Sequence, residues 1–163
     1  MNTLIRSLTL AGLAALTSAT AMAGGATVTF THPENYSDFP YSEVDRDWLL
    51  KETADHFIKL AARLPAGQDL KIEVLDYDLA GDRKIGYAYL HDFRILKGRA
   101  DWPSMNVRYT LTENGQVIKQ GEERIRDMAY LNHINRYFSG DPLRYEKQMV
   151  EEWFRERFGV SRR

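Results

Sequence analysis

The chain has no cysteine among its 163 residues. That removes disulfides, thiol catalysis, cysteine-ligated metals and a lipid anchor on a processed N-terminal cysteine. No apolar run reaches the roughly 20 residues that a helix needs to cross a bilayer. Charge of one sign is also missing: 22 Lys and Arg stand against 23 Asp and Glu, a formal net charge of −1. Nothing in that balance suggests a nucleic-acid partner or an anionic membrane surface. There is no Gly-x-Ser-x-Gly elbow, no phosphate-cradling Walker loop, no dinucleotide fingerprint and no His-bearing zinc helix. The four histidines, His32, His56, His91 and His133, are scattered singly. Internal repeats, low-complexity tracts and internal linkers are absent too.

What is present begins with residues 1–23. Arg6 supplies a positive start, Leu8 to Leu16 is a short apolar run, and Ala21-Met22-Ala23 is a small-x-small cleavage site ahead of Gly24-Gly25. These are the three parts of a cleaved secretory signal peptide. The expected mature protein is residues 24–163, a single α+β domain, soluble, periplasmic and without a lipid anchor.

Within that domain Thr27 to Phe30 reads as a short strand. A polar loop with Tyr36, Phe39 and Tyr41 follows, and Ser42-Glu43-Val44-Asp45 has the spacing of a helix capping box. Leu50, Phe57 and Leu64 then repeat every seven residues, with charged residues opposite, until Pro65-Ala66-Gly67 stops the helix. From Leu70 the period becomes two. Leu70, Ile72 and Val74 are apolar, then the parity flips to Leu75, Tyr77 and Leu79, which predicts a β-bulge or a change of cover. Gly81 to about Leu90 reads as a loop, and Phe93 and Ile95 mark a further strand. Met105, Val107, Tyr109 and Leu111 alternate with polar residues, Asn114-Gly115 is a two-residue hairpin signal, and Gln116 to Ile125 returns as a polar edge strand.

The last third, Asp127 to Phe158, reads as two consecutive amphipathic helices joined by Ser139-Gly140-Asp141-Pro142. Gly140 is expected to close the first in the left-handed conformation, Asp141 to cap the second, and Pro142 to sit in its first turn. Tyr130, Leu131, Ile134, Tyr137 and Phe138 give the first an apolar arc of about 120°. The second carries two stripes, one of Leu143, Val150, Phe154 and Phe158 and one of Tyr145, Met149 and Trp153, together spanning roughly 220°. Such a helix is either wedged between the sheet and another segment or uses one stripe for docking. The fold expected is therefore a two-layer α+β sandwich: a mixed, mostly antiparallel sheet of about five strands, with three helices packed mainly on one face.

Several blocks are distinctive in their wording. They are Glu73 to Gly81 (EVLDYDLAG), Val107 to Leu111 (VRYTL), Gly121 to Arg124 (GEER) and, above all, Arg136 to Phe154, with Tyr137-Phe138-Ser139-Gly140-Asp141-Pro142-Leu143-Arg144-Tyr145-Glu146-Lys147 inside it. On these blocks nearly all of the mature chain resembles the exported bacterial family called domain of unknown function 3016. The resemblance implies export and single-domain character. It brings no activity and no catalytic residues.

Candidate chemistry is sparse. Asp76, Asp78 and Asp82 partly match a calcium loop, but Ala80 and Tyr87 stand where a ligand and a bidentate glutamate belong, so turn and strand-end aspartates are the preferred reading. Asp76 and Asp78, two apart on one strand, share a face and form the basis of an alternative, a small periplasmic hydrolase. The aromatic loop, through Tyr36 and Tyr41, either flanks a ligand or covers core. Arg136, Arg144 and Lys147 around Asp141 are either an anion site or, preferably, a surface ion-pair network with Asp141 and Glu146. The expectation is a non-catalytic binding or envelope-assembly accessory protein, with Tyr145, Met149, Trp153, Arg144, Tyr36 and Tyr41 as binding candidates. No cofactor, metal ligand or catalytic residue is assigned, and an envelope protein or a small ligand is the expected partner.

Overall fold

The computed structural model describes residues 25–37, 39, 40, 42–84 and 93–161. Among these residues, six strands and two α-helices follow in chain order: β1 (Ala26–Phe30), α1 (Glu43–Ala61), β2 (Gln68–Asp78), β3 (Asp82–Lys84), β4 (Phe93–Ile95), β5 (Ser104–Glu113), β6 (Gln116–Arg126) and α2 (Arg144–Phe158). A single 3-10 turn occupies Pro33–Asn35. β1, β2, β5 and β6 form one sheet in that spatial order, and β3 and β4 form a separate ribbon. The sheet thus has four strands, not about five, because β4 pairs with β3 outside it.

β1 and β2 are parallel, with α1 crossing between them, while β2, β5 and β6 run antiparallel. Ser42 caps α1, its Oγ accepting the Asp45 N–H at 3.3 Å. The parity flip in β2 is a bulge: Val74 pairs with Val107 and Asp76 with Asn106, leaving Leu75 without a partner. Val74 and Tyr77 are consequently both buried on the helix-covered face. Asn114 and Gly115, both with positive φ, close the β5–β6 hairpin.

One face of the sheet carries both helices. Leu70, Ile72, Val74 and Tyr77 from β2 and Met105, Val107, Tyr109 and Leu111 from β5 meet Phe57, Leu60 and Ala61 of α1 and Met149, Val150, Trp153 and Phe154 of α2. The opposite face is polar, with Arg108 of β5 bridging Glu73 of β2 at 2.7 Å and Glu122 of β6 at 2.9 Å. Full burial of side chains such as Phe57 and Phe154 contributes on the order of 1.5–3 kcal/mol each before ordering costs.

The expected helix from Asp127 to Ser139 does not form, so two α-helices stand where three were expected. Local polar side chains take its backbone groups instead. Asp127 Oδ1 accepts the Ala129 N–H at 3.0 Å, and Asn135 Oδ1 accepts the Tyr137 N–H at 2.9 Å. Such Asx bonds compete with the helical ladder, and Asn132, His133 and Asn135 are all weak helix formers. Gly140 is accordingly not in the left-handed conformation, whereas Gly159, at φ 67°, closes α2. Asp141 does not cap α2 either: its Oδ1 accepts the Leu143 N–H at 2.8 Å, and the helix begins at Arg144.

Candidate functional site

The second stripe of α2 lies in the interior. Trp153 packs edge-on against Tyr109 and Phe158, with ring centroids 5.8 and 5.6 Å away, and its indole N–H donates to Glu123 at 3.0 Å. Tyr145 stands perpendicular to Tyr130 at 5.0 Å, and the Arg144 guanidinium lies over its ring at 4.6 Å. Met149 and Trp153 floor an open groove of about 300 Å³ between β6 and α2, rimmed by Glu123, Arg124, Glu152 and Arg157. These positions match a helix wedged between the sheet and another segment. The other segment is the chain from 127 to 143.

The loop before α1 also turns inward. Tyr36 and Phe39 are buried, edge to face at 5.3 Å, and the Tyr36 hydroxyl donates to the Val74 carbonyl at 2.7 Å. Burial pushes the Tyr36 phenol up to about 12. Tyr41 lies outside the described residues. Asp76 and Asp78 sit on the uncovered side of β2, opposite Asn106 and Ser104, and neither lines any of the three clefts described here. Most of the loop expected from Gly81 to Leu90 is also outside the described residues. Among the described residues no three His, Asp or Glu side chains are arranged to hold a metal ion.

A second cleft, of about 250 Å³, is lined by titratable side chains throughout: Glu52, Asp55, His56, Lys59, Tyr137, Asp141 and Lys147. The His56 ring places Nε2 2.9 Å from the Lys147 carbonyl, which fixes its proton on that nitrogen. Burial lowers its pKa to about 4. The Tyr137 hydroxyl donates to Glu151 at 2.8 Å, and burial followed by that carboxylate pushes the phenol well up. Arg63 completes the chain, donating to Glu151 at 2.7 Å. Lys147 bridges Asp141 at 2.8 Å and Glu52 at 3.1 Å. The protons on His56 Nε2 and Tyr137 therefore point at internal acceptors, and the cluster ties α1, α2 and residue 137 together.

Glu146 is not in that surface network. It is 2% exposed; one carboxyl oxygen accepts the Ala80 N–H at 2.8 Å and the other has no hydrogen-bond partner. Burial raises its pKa. Beside it Arg94 donates to the carbonyls of Leu79 and Ala80, at 2.8 and 2.6 Å, holding the end of β2.

Exposed apolar side chains occur on α1 (Val44, Trp48, Ile58) and β6 (Val117, Ile118), but the two most exposed lie on residues 127–138. Ile134 is 85% exposed, Phe138 79% and Met128 58%, with Leu131 also outward. The segment is held from behind by polar bonds. Gln148 accepts the Arg136 N–H at 2.9 Å and donates to His133 and to the Ile134 carbonyl, and Asn135 donates to the Arg144 carbonyl at 2.9 Å. Tyr130 anchors it in the interior, with its hydroxyl donating to Asp101 at 3.0 Å, and Tyr137 packs edge-on against His56. Leu131 lies against Gly98, and Phe138 over Gly140. Gly140 in turn shares a cleft of about 360 Å³ with Leu96, Pro142 and Tyr145. A periodicity reading places Leu131, Ile134 and Phe138 in the core; the asparagines among them were the contrary signal.

Fold and surface together define a mixed α+β protein with one helix-covered sheet face and an apolar strip at one end. The chain belongs to the family described as "Protein of unknown function (DUF3016)", whose model matches residues 24–156. No curated protein and no solved structure matches it.

Proposed function

We propose that the chain is a non-catalytic binding or assembly-accessory protein of the bacterial envelope, exported by residues 1–23, and that its contact surface is the strip from Met128 to Phe138. The observation that supports this most is the pairing of 85% and 79% exposure at Ile134 and Phe138 with a backbone fixed by Gln148 and Asn135. Large apolar side chains held outward in a contiguous strip are uncommon on a chain that contacts nothing. The α2 stripe is replaced as the contact surface, because Tyr145, Met149 and Trp153 are already covered.

Site-specific photocrosslinking in intact cells tests the reading. A crosslinker at position 134 or 138 should give discrete adducts, to protein or lipid, while one at exposed Val44 on α1 should not. Equal, diffuse labelling at all three positions would defeat the proposal.

A further inference from the structure

The strip is set apart by its charge as well as by the exposure of Ile134 and Phe138. Residues 93–101 and 126–144 contain six arginines and lysines against three aspartates and no glutamate, within a chain of net charge −1. The remainder of the chain is therefore net acidic, and the overall balance conceals a basic end. The three aspartates turn inward. Asp101 accepts the backbone N–H groups of Lys97 and Arg99 and the Tyr130 hydroxyl. Asp127 holds His133 at 2.7 Å and Asp141 holds Lys147. Of the six cations, Lys97 pairs with Asp82, and Arg94 and Arg144 donate to backbone carbonyls. Arg99, Arg126 and Arg136 are exposed, and among the described residues none of these three makes an ion pair.

We infer that this end of the molecule docks on an anionic bilayer surface, with Ile134 and Phe138 entering the headgroup boundary and Arg99, Arg126 and Arg136 meeting lipid phosphates. The inference rests on the contact surface proposed above and names its partner. Apolar side chains interleaved with unpaired cations are what an interfacial site requires, since burial and attraction to anionic headgroups add. A fluid interface also takes protruding side chains without a matching groove. A folded protein partner would have to supply a pocket for each of them. The residues behind the strip have their hydrogen bonds satisfied by Gln148, Asn135 and His133, so docking need not unfold anything.

The test is flotation of the purified protein with vesicles of phosphatidylcholine alone and with about 30 mol% phosphatidylglycerol added. The expected result is binding to the anionic vesicles only, weakened about tenfold or more between about 0.1 and 0.5 M salt. The Ile134→Ser/Phe138→Ser and Arg126→Gln/Arg136→Gln double variants should each bind about tenfold more weakly, roughly 1.4 kcal/mol, with unchanged thermal unfolding. Val44→Ser on α1 should bind as the parent does. Equal binding to both vesicle types, no binding to either, or full binding by the serine double variant would each overturn the inference. If vesicles fail while crosslinking at 138 gives one protein adduct, the lipid partner is wrong and the contact surface stands. If both fail, the proposed function falls with it.

Discussion

A carboxyl group with 2% exposure and one unpartnered oxygen, as at Glu146, keeps its proton to a higher pH than one in water, because burial disfavours the anion. Its folded pKa lies above the unfolded value, so its contribution is intact below about pH 4.5 and declines as pH rises through the folded pKa. Glu146→Gln keeps an acceptor for the Ala80 N–H and cannot ionise. In thermal melts the variant should lack the loss of stability that the parent shows as pH rises above about 4.5. A lower melting temperature for the variant at every pH would mean that the ionised carboxylate is needed. His56 has the opposite sign. Its folded pKa, about 4, lies below the free value of 6.5, so the stability of the buried neutral ring is present above 6.5 and lost as pH falls toward 4. The loss approaches about 3 kcal/mol, and denaturant titrations of His56→Gln should lack it between about pH 6.5 and 5. Glu123 and Glu151 act lower. Burial opposes their ionisation, but Trp153, Arg157 and Tyr109 around Glu123, and Arg63 and Tyr137 around Glu151, hold both below the usual glutamate value. Their contribution fades only below about pH 4.5.

Among the elements, the segment from 127 to 143 separates two kinds of apolar residue that one periodicity treats alike. Tyr130→Ala should cost about 3–5 kcal/mol by emptying a fully buried ring site, whereas Ile134→Ser should change stability by no more than about 0.5 kcal/mol. Urea unfolding of the two variants checks the contrast. Similar losses in both would put Ile134 in the core, as the helical reading has it. The elements that were legible are those where local signals agree. Ser42 caps α1, the shift from Val74 to Leu75 marks the bulge, and Asn114-Gly115 closes the hairpin. The helix over 127–139 was misread because periodicity weighs side-chain polarity and ignores competition for backbone N–H groups. Asp127 and Asn135 decide that competition locally, and Gln148 decides it from α2. The β3–β4 ribbon is three residues a side, too short to give any period. The candidate surface was hidden for the same reason as the false helix: its residues look like core until their backbone is known not to be helical.

At the scale of the whole molecule, the sheet is covered on one face by α1 and α2 and closed on the other by the Glu73–Arg108–Glu122 bridge. The end built from residues 93–101 and 126–144 carries the two most exposed apolar side chains together with the outward Arg99, Arg126 and Arg136. The parallel pairing of β1 with β2 carries a different consequence, one of timing. β5 and β6 are joined by two residues and can zip as soon as both exist, but Gly25 meets Asp69, 44 positions later. Closing so long a loop is slow and is rewarded only once α1 and β2 are in place. β1 thus leaves the ribosome well before β2 and is among the last strands to find its partner. Under the export proposed above, a precursor would keep this strand unpaired at the least cost to the rest of its fold.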